Sequence, residues 1–138
     1  MRVALGCAAL ASAIALVGTA GAQTGAVAVG SRADVSCAGA VSWSRAKSMI
    51  GRVATIKGPV AGAFHAASSN GSPTFLNIGA DYPSSRRFTV VIWGRDRWKF
   101  GSPERRYNGK TICVRGLIKP YHGVAEVFAT SPSQLRVA

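Results

Sequence analysis

Arg86–Trp93 reads RRFTVVIW, the clearest strand pattern in the chain. Phe88, Val90 and Ile92 share one face; Thr89, Val91 and Trp93 share the other, because successive strand side chains point to opposite sides. Two arginines lead in, and Gly94-Arg95-Asp96-Arg97 leads out. One strand thus carries a core face, an aromatic on the opposite face and cations at both ends. A sheet surface built this way can stack bases and neutralise phosphates.

Working outward from that strand, the flanks predict four more. Gly51–Phe64 reads as a long strand, interrupted at Gly58-Pro59, which suits a bend serving two sides of a curved sheet. Ala66–Pro73 is a loop with an Asn70-Gly71 turn signal, and Thr74–Ile78 is the next strand. Gly79–Ser85 turns into the strand quoted above. Beyond it, Asp96 can cap a helical turn through Phe100, with Trp98 and Phe100 plugging one end of the core. Thr111–Lys119 and Val124–Thr130 are the last two strands, joined through Pro120–Gly123. Ahead of them all, Ser42–Ile50 is a short helix, with Ser42 as cap, Gly51 past its end and Trp43 as a core anchor. The expected core is Ile56, Leu76, Val90, Ile92, Val114 and Val127.

The N-terminus reads as an export signal. Arg2 precedes the apolar Val3–Val17, and Ala20-Gly21-Ala22 is a small-residue cleavage site, so 1–22 is expected to be removed. The apolar run is too short for a spanning helix, no later segment resembles one, and Cys7 lies too near Met1 for a lipoprotein signal. Residues 23–40 form a Gly/Ala/Ser-rich arm, and 41–138 one domain. The chain has 138 residues, 17 Lys and Arg, five acids and a net charge of +12. All but Arg2 of those charges survive cleavage. A charge of that size attracts polyanions at long range: nucleic acid, anionic polysaccharide or anionic lipid. Cys37 and Cys113 remain as an even pair, which in an exported (periplasmic or secreted) domain suggests a disulfide.

Helix, three strands, helical insert and two strands match a small barrel. In that order, 42–137 resembles an OB-fold domain of the small bacterial single-domain kind, and is similar to the anticodon-binding type. The resemblance rests on Gly51-x4-Ile56-x-Gly58-x-Val60, Thr74-Phe75-Leu76-Asn77-Ile78-Gly79, Phe88-x-Val90-Val91-Ile92, Gly109-Lys110-x-Ile112-x-Val114-x-Gly116-x-Ile118 and Pro132-Ser133-Gln134-Leu135. Ala80 stands where the anticodon-binding type usually carries an acid. The implied fold is all-β with minor helix: a five-stranded OB-fold barrel preceded by a short N-terminal helix.

OB folds bind ligands on the second and third strands and the adjoining loops. The resemblance therefore points to Phe75, Asn77, Thr89 and Trp93 on that face, Arg86, Arg87, Arg95 and Arg97 at its ends, and Tyr121 in a flanking loop. His65, Asn70 and His122 lie in the same loops. Phe75 matches the base-stacking position. The expected partner is single-stranded or exposed DNA or RNA, bound with little sequence preference; an acidic oligosaccharide or acidic protein partner is the alternative. No enzyme is expected. Asp34, Asp81, Asp96, Glu104 and Glu126 form no close pair in sequence, unlike the carboxylate cluster of the secreted thermonucleases. Cys37, His65, Cys113 and His122 lack the spacing of a zinc site, and neither metal nor cofactor is expected.

Overall fold

The computed structural model describes Gly21 and residues 34–138. The expected signal peptide, apart from Gly21, and residues 23–33 of the arm lie outside the described residues. Among the described residues, no helix is long and apolar enough to cross a membrane.

The chain runs β1 (Val41–Ser42), a 3-10 helix (Trp43–Met49), β2 (Val53–His65), β3 (Thr74–Ile78), β4 (Phe88–Ile92), α1 (Gly94–Arg97), α2 (Pro103–Tyr107), β5 (Thr111–Leu117), β6 (Lys119–Tyr121), β7 (Val124–Phe128), a 3-10 turn (Pro132–Gln134) and β8 (Leu135–Val137). One sheet joins them in the order β6-β7-β4-β3-β2-β5-β8, with β1 parallel on β2. The protein is all-β with minor helix. Its five longer strands run β5-β2-β3-β4-β7, with β4 and β7 parallel, an OB-like order.

The barrel departs from expectation in two ways. Among the described residues there are eight strands rather than five, and the barrel does not close. The added strands are two or three residues long, too short for alternation to show. The opening lies between β5 and β7, which approach without exchanging ladder bonds. The Gln134 side-chain amide occupies that seam instead. It donates to the carbonyls of Arg115 at 3.0 Å and Phe128 at 3.4 Å, while its oxygen accepts from the backbone N–H of Thr130 at 2.8 Å and Ser131 at 3.1 Å. Gly116 lets the strands come this near, since a Cβ there would press on Val127.

The long β2 serves both sides, as expected. Val53–Pro59 pair with β5 and Val60–His65 with β3. The register break falls between Val60 and Gly62, not at Gly58-Pro59. All six expected core residues are fully buried in one cluster with Phe88, Ile112 and Phe100. Trp98 does not plug the core: it is 77 % exposed, and Phe100 and Tyr107 fill that end. The insert holds a second helix, α2, which begins at Pro103. Asp96 makes no cap; it accepts from Lys99 Nζ at 2.7 Å and Arg95 Nε at 3.4 Å. The Lys99 bond, ahead of the cost of burial, lowers its pKa below the usual carboxylate range.

Ser42 does not cap the N-terminal helix through its side chain either, and that helix is 3-10. Trp43 holds it in place. Its indole lies on the bare backbone of Gly58 and Gly79, where a Cβ on either glycine would overlap the ring. Gly79 also has φ +77°, a left-handed conformation that suits glycine. Cys37 and Cys113 form the expected disulfide, with Cα atoms 5.6 Å apart. Closing 76 residues of sequence separation contributes about 4 kcal/mol on the chain-entropy view.

Two substitutions test this account. Gly79→Ala adds left-handed strain to a collision with Trp43 and should cost about 2–6 kcal/mol in denaturant unfolding. Gln134→Ala should cost about 1–3 kcal/mol, because it strands carbonyls of both seam strands. A neutral result for Gln134→Ala would show that the seam is held by something other than this amide.

Candidate functional site

The outward face of the sheet is built by register. Asn77 pairs with Thr89, Phe75 with Val91 and Phe64 with Phe75, so these side chains share one side of β2, β3 and β4. β7 adds Glu126 beside Thr89 and Phe128 beside Val91. β6 adds Tyr121 beside Val124 and Lys119 beside Glu126. The face is concave. It holds a cavity of about 640 Å³, with Phe64, Phe75, Tyr82 and Tyr121 among its walls and Asn77, Asp81, Thr89 and Glu126 among its polar lining.

A polar row crosses the floor. The Thr89 hydroxyl donates to Asn77 Oδ1 at 3.1 Å, and Asn77 Nδ2 donates to Asp81 Oδ1 at 2.8 Å. That carboxylate oxygen also accepts from the Tyr82 backbone N–H at 2.8 Å. Asp81 reaches the row because β2 carries a glycine opposite Asn77: a Cβ on Gly62 would occupy the carboxylate's place. Asp81 thus supplies a carboxylate here, one position beyond Ala80. Glu126 continues the row from β7. It is 9 % exposed, and burial pushes its carboxyl above the usual range, against the pull of Lys119 and His122.

Arg87 stands at the rim. Its guanidinium donates to the Ser84 carbonyl at 2.7 Å and lies over the Tyr82 ring, 5.3 Å from its centre. Arg86 beside it is exposed.

The sequence-derived residues therefore divide. Phe75, Asn77, Arg87, Thr89 and Tyr121 line one cavity. Trp93 shares their side of the sheet but lines a separate cavity of about 210 Å³ with Gly71 and Arg95. The 66–73 loop comes between, its Gly71 carbonyl accepting from Gly94 N–H at 2.8 Å. Trp93 packs edge-on against Phe128 with ring centres 5.7 Å apart. Arg97 is engaged elsewhere: it donates to Glu104 at 2.7 Å and to the Gly101 carbonyl at 2.8 Å. Burial raises the Glu104 pKa, but its own backbone N–H and Arg97 together bring it below the usual range.

Among the lining residues that the sequence reading did not place here are two aromatic rings and two acids: Phe64, Tyr82, Asp81 and Glu126. Glu126 had a signal, an acid in the middle of the apolar strand Val124–Phe128. Phe64 had one too, on the outward parity of β2. Nothing local marks Tyr82, or the return of Asp81 onto Asn77. Among the described residues, no group of three His, Cys, Asp or Glu could hold a metal ion.

No protein-family model matches this chain, and no curated protein matches it. Solved structures give distant likenesses. An asparaginyl-tRNA synthetase from Pyrococcus horikoshii aligns with TM-score 0.48 and 18 % identity over 72 % of this chain and 23 % of its own. The asparaginyl-tRNA synthetase of Entamoeba histolytica gives 0.47 and 15 % over 71 % and 23 %. The aspartyl-tRNA synthetase of the same organism gives 0.42 and 13 % over 65 % and 19 %. The chain thus spans about a fifth of the length of each, and likenesses this distant assign it no activity.

Glu126 gives a pH test. Its folded pKa lies above the unfolded one, so its contribution to stability is complete below the unfolded pKa. That contribution is lost as pH rises through the folded value. Glu126→Gln should therefore be more stable than the parent at neutral pH, and the gap should close on acidification through the carboxylate range. A gap that is constant with pH in thermal melts would show that Glu126 is not desolvated.

Proposed function

We propose that this protein is an exported, non-enzymatic binding module for single-stranded or otherwise exposed nucleic acid, with a nucleobase seated in the aromatic cavity and low sequence preference. The observation that carries the reading is the cavity itself. Four aromatic rings surround a polar floor, inside a volume of the small-ligand range of about 300–1,000 Å³. A base has the matching form: a flat π-face for stacking and an edge of hydrogen-bond donors and acceptors.

The electrostatics separate the rival ligands. An acidic sugar in this cavity would bring its carboxylates against Asp81 and Glu126. A nucleotide keeps its charge outside, on the phosphate, and inserts a neutral ring. The cationic excess that remains without Arg2 then acts on the backbone, where cations supply most of the affinity. Stacking on rings is sequence-tolerant, because every base has a π-face. The Cys37–Cys113 disulfide is compatible with export.

Fluorescence anisotropy with single-stranded DNA, duplex DNA and an acidic polysaccharide at two salt concentrations tests the reading. Single strands should bind tightest. Phe75→Ala should lose about 1–3 kcal/mol for single strands while leaving the salt slope nearly unchanged. Tighter binding of the polysaccharide at physiological salt would replace this reading with that of a module for an acidic glycan.

A further inference from the structure

Beside the aromatic cavity lies a second, smaller cleft between the 3-10 helix and the 79–87 turn. Its volume is about 110 Å³, and Lys47, Arg86, Arg87, Ser44 and Trp43 line it. We propose that this cleft is a phosphodiester subsite, holding the backbone phosphate next to the base in the aromatic cavity. The assignment rests on the nucleic-acid reading above and adds to it a place for the charge.

Three observations support it. First, three cationic residues from two separate segments line one small cleft, and no carboxylate lines it. Like charges brought together repel, and an anion between them removes that cost. Second, none of the three takes part in the ion pairs found among the described residues, which all involve Arg95, Arg97 or Lys99. Third, Arg87 lines both the cleft and the aromatic cavity. The Ser84 carbonyl and the Tyr82 ring fix its guanidinium, so it is pre-set between the two spaces. A guanidinium held in this way can present paired N–H donors to phosphate oxygens. Lys47 adds a point charge from the helix side and Ser44 a hydroxyl. A ligand that places a flat ring on one side of Arg87 and a tetrahedral anion on the other has the form of a nucleotide within a strand.

Binding of a single-stranded oligonucleotide, measured against salt concentration, tests this in the full chain. Lys47 and Arg86 are exposed, so Lys47→Gln and Arg86→Gln leave the core intact. Each should weaken binding and flatten the slope of log K against log salt by about 0.7. Lys57→Gln, on the outer face of β2 away from both cavities, is the control and should do neither. In a parallel arm, inorganic phosphate titrated against isotope-labelled protein should shift the Trp43 indole and the Lys47, Arg86 and Arg87 resonances before those of Lys57 and Arg115. Oligonucleotide binding that Lys47→Gln and Arg86→Gln weaken no more than Lys57→Gln does would overturn the subsite and leave the base cavity standing. Uniform phosphate shifts over all cationic residues would also overturn it. Failure of the parent protein to bind any single strand at low salt would overturn the nucleic-acid reading, and the phosphodiester subsite with it.

Discussion

The Trp43 indole resting on two side-chain-free backbones is the contact on which the binding face depends. Gly58 belongs to β2, and Gly79 follows the last residue of β3. One ring therefore ties the N-terminal 3-10 helix to both strands, and the helix also packs against β4 and β7. The chain leaves β3 at Gly79 with a left-handed turn and starts the 79–87 segment beside that helix. Asp81 can then fold back onto Asn77, and Arg87 can stand between the two cavities. A site carried on such a fixed platform holds its groups in place before any ligand arrives, which lowers the ordering cost of binding.

The distribution of acids explains how so basic a protein can keep a selective cavity. The chain has five carboxylic side chains. Asp96 and Glu104 hold Arg95, Arg97 and Lys99 around α1 and α2. Asp81 and Glu126 lie in the aromatic cavity. Apart from the exposed Asp34, the scarce negative charge thus fastens the helical insert and lines the aromatic cavity. The other cationic side chains make no ion pair among those residues, and they form the long-range field. On the proposed reading, that field draws a polyanion to the surface, while the cavity floor suits a neutral or donor-rich group.

Alternation made the core legible. Phe88, Val90 and Ile92 fall inside as their parity requires, and the same rule places Phe75, Asn77 and Thr89 outside. Parity does not say what covers the outer face, so Thr89 and Val91 prove buried as well. Short pieces were not legible. β1, β6 and β8 lack the length for a period, and α2 is hidden by a proline that starts a helix as readily as it ends one. The seam was invisible for a different reason. Gln134 joins Arg115 to Phe128 across segments distant in sequence, and no local pattern records a bond of that kind.

The strand Arg86–Trp93 shows how tertiary packing divides a symmetric-looking sequence. It has arginines at both ends, and either end could serve a polyanion. The outgoing end is enclosed by structure. Trp93 begins the turn of α1, its carbonyl accepting from Asp96 and Arg97 N–H; Gly71 closes over it, and Phe128 meets its edge. Arg97 is then held by Glu104 and Gly101. At the incoming end the 79–87 turn leaves Arg86 exposed and anchors Arg87 with a carbonyl and a ring rather than a carboxylate. Neutral anchors fix the guanidinium without cancelling its charge. The two ends therefore differ in whether an acid is near: Asp96 and Glu104 stand among the cations of the outgoing end, where Arg95 stays exposed, and no carboxylate lines the cleft at the incoming end.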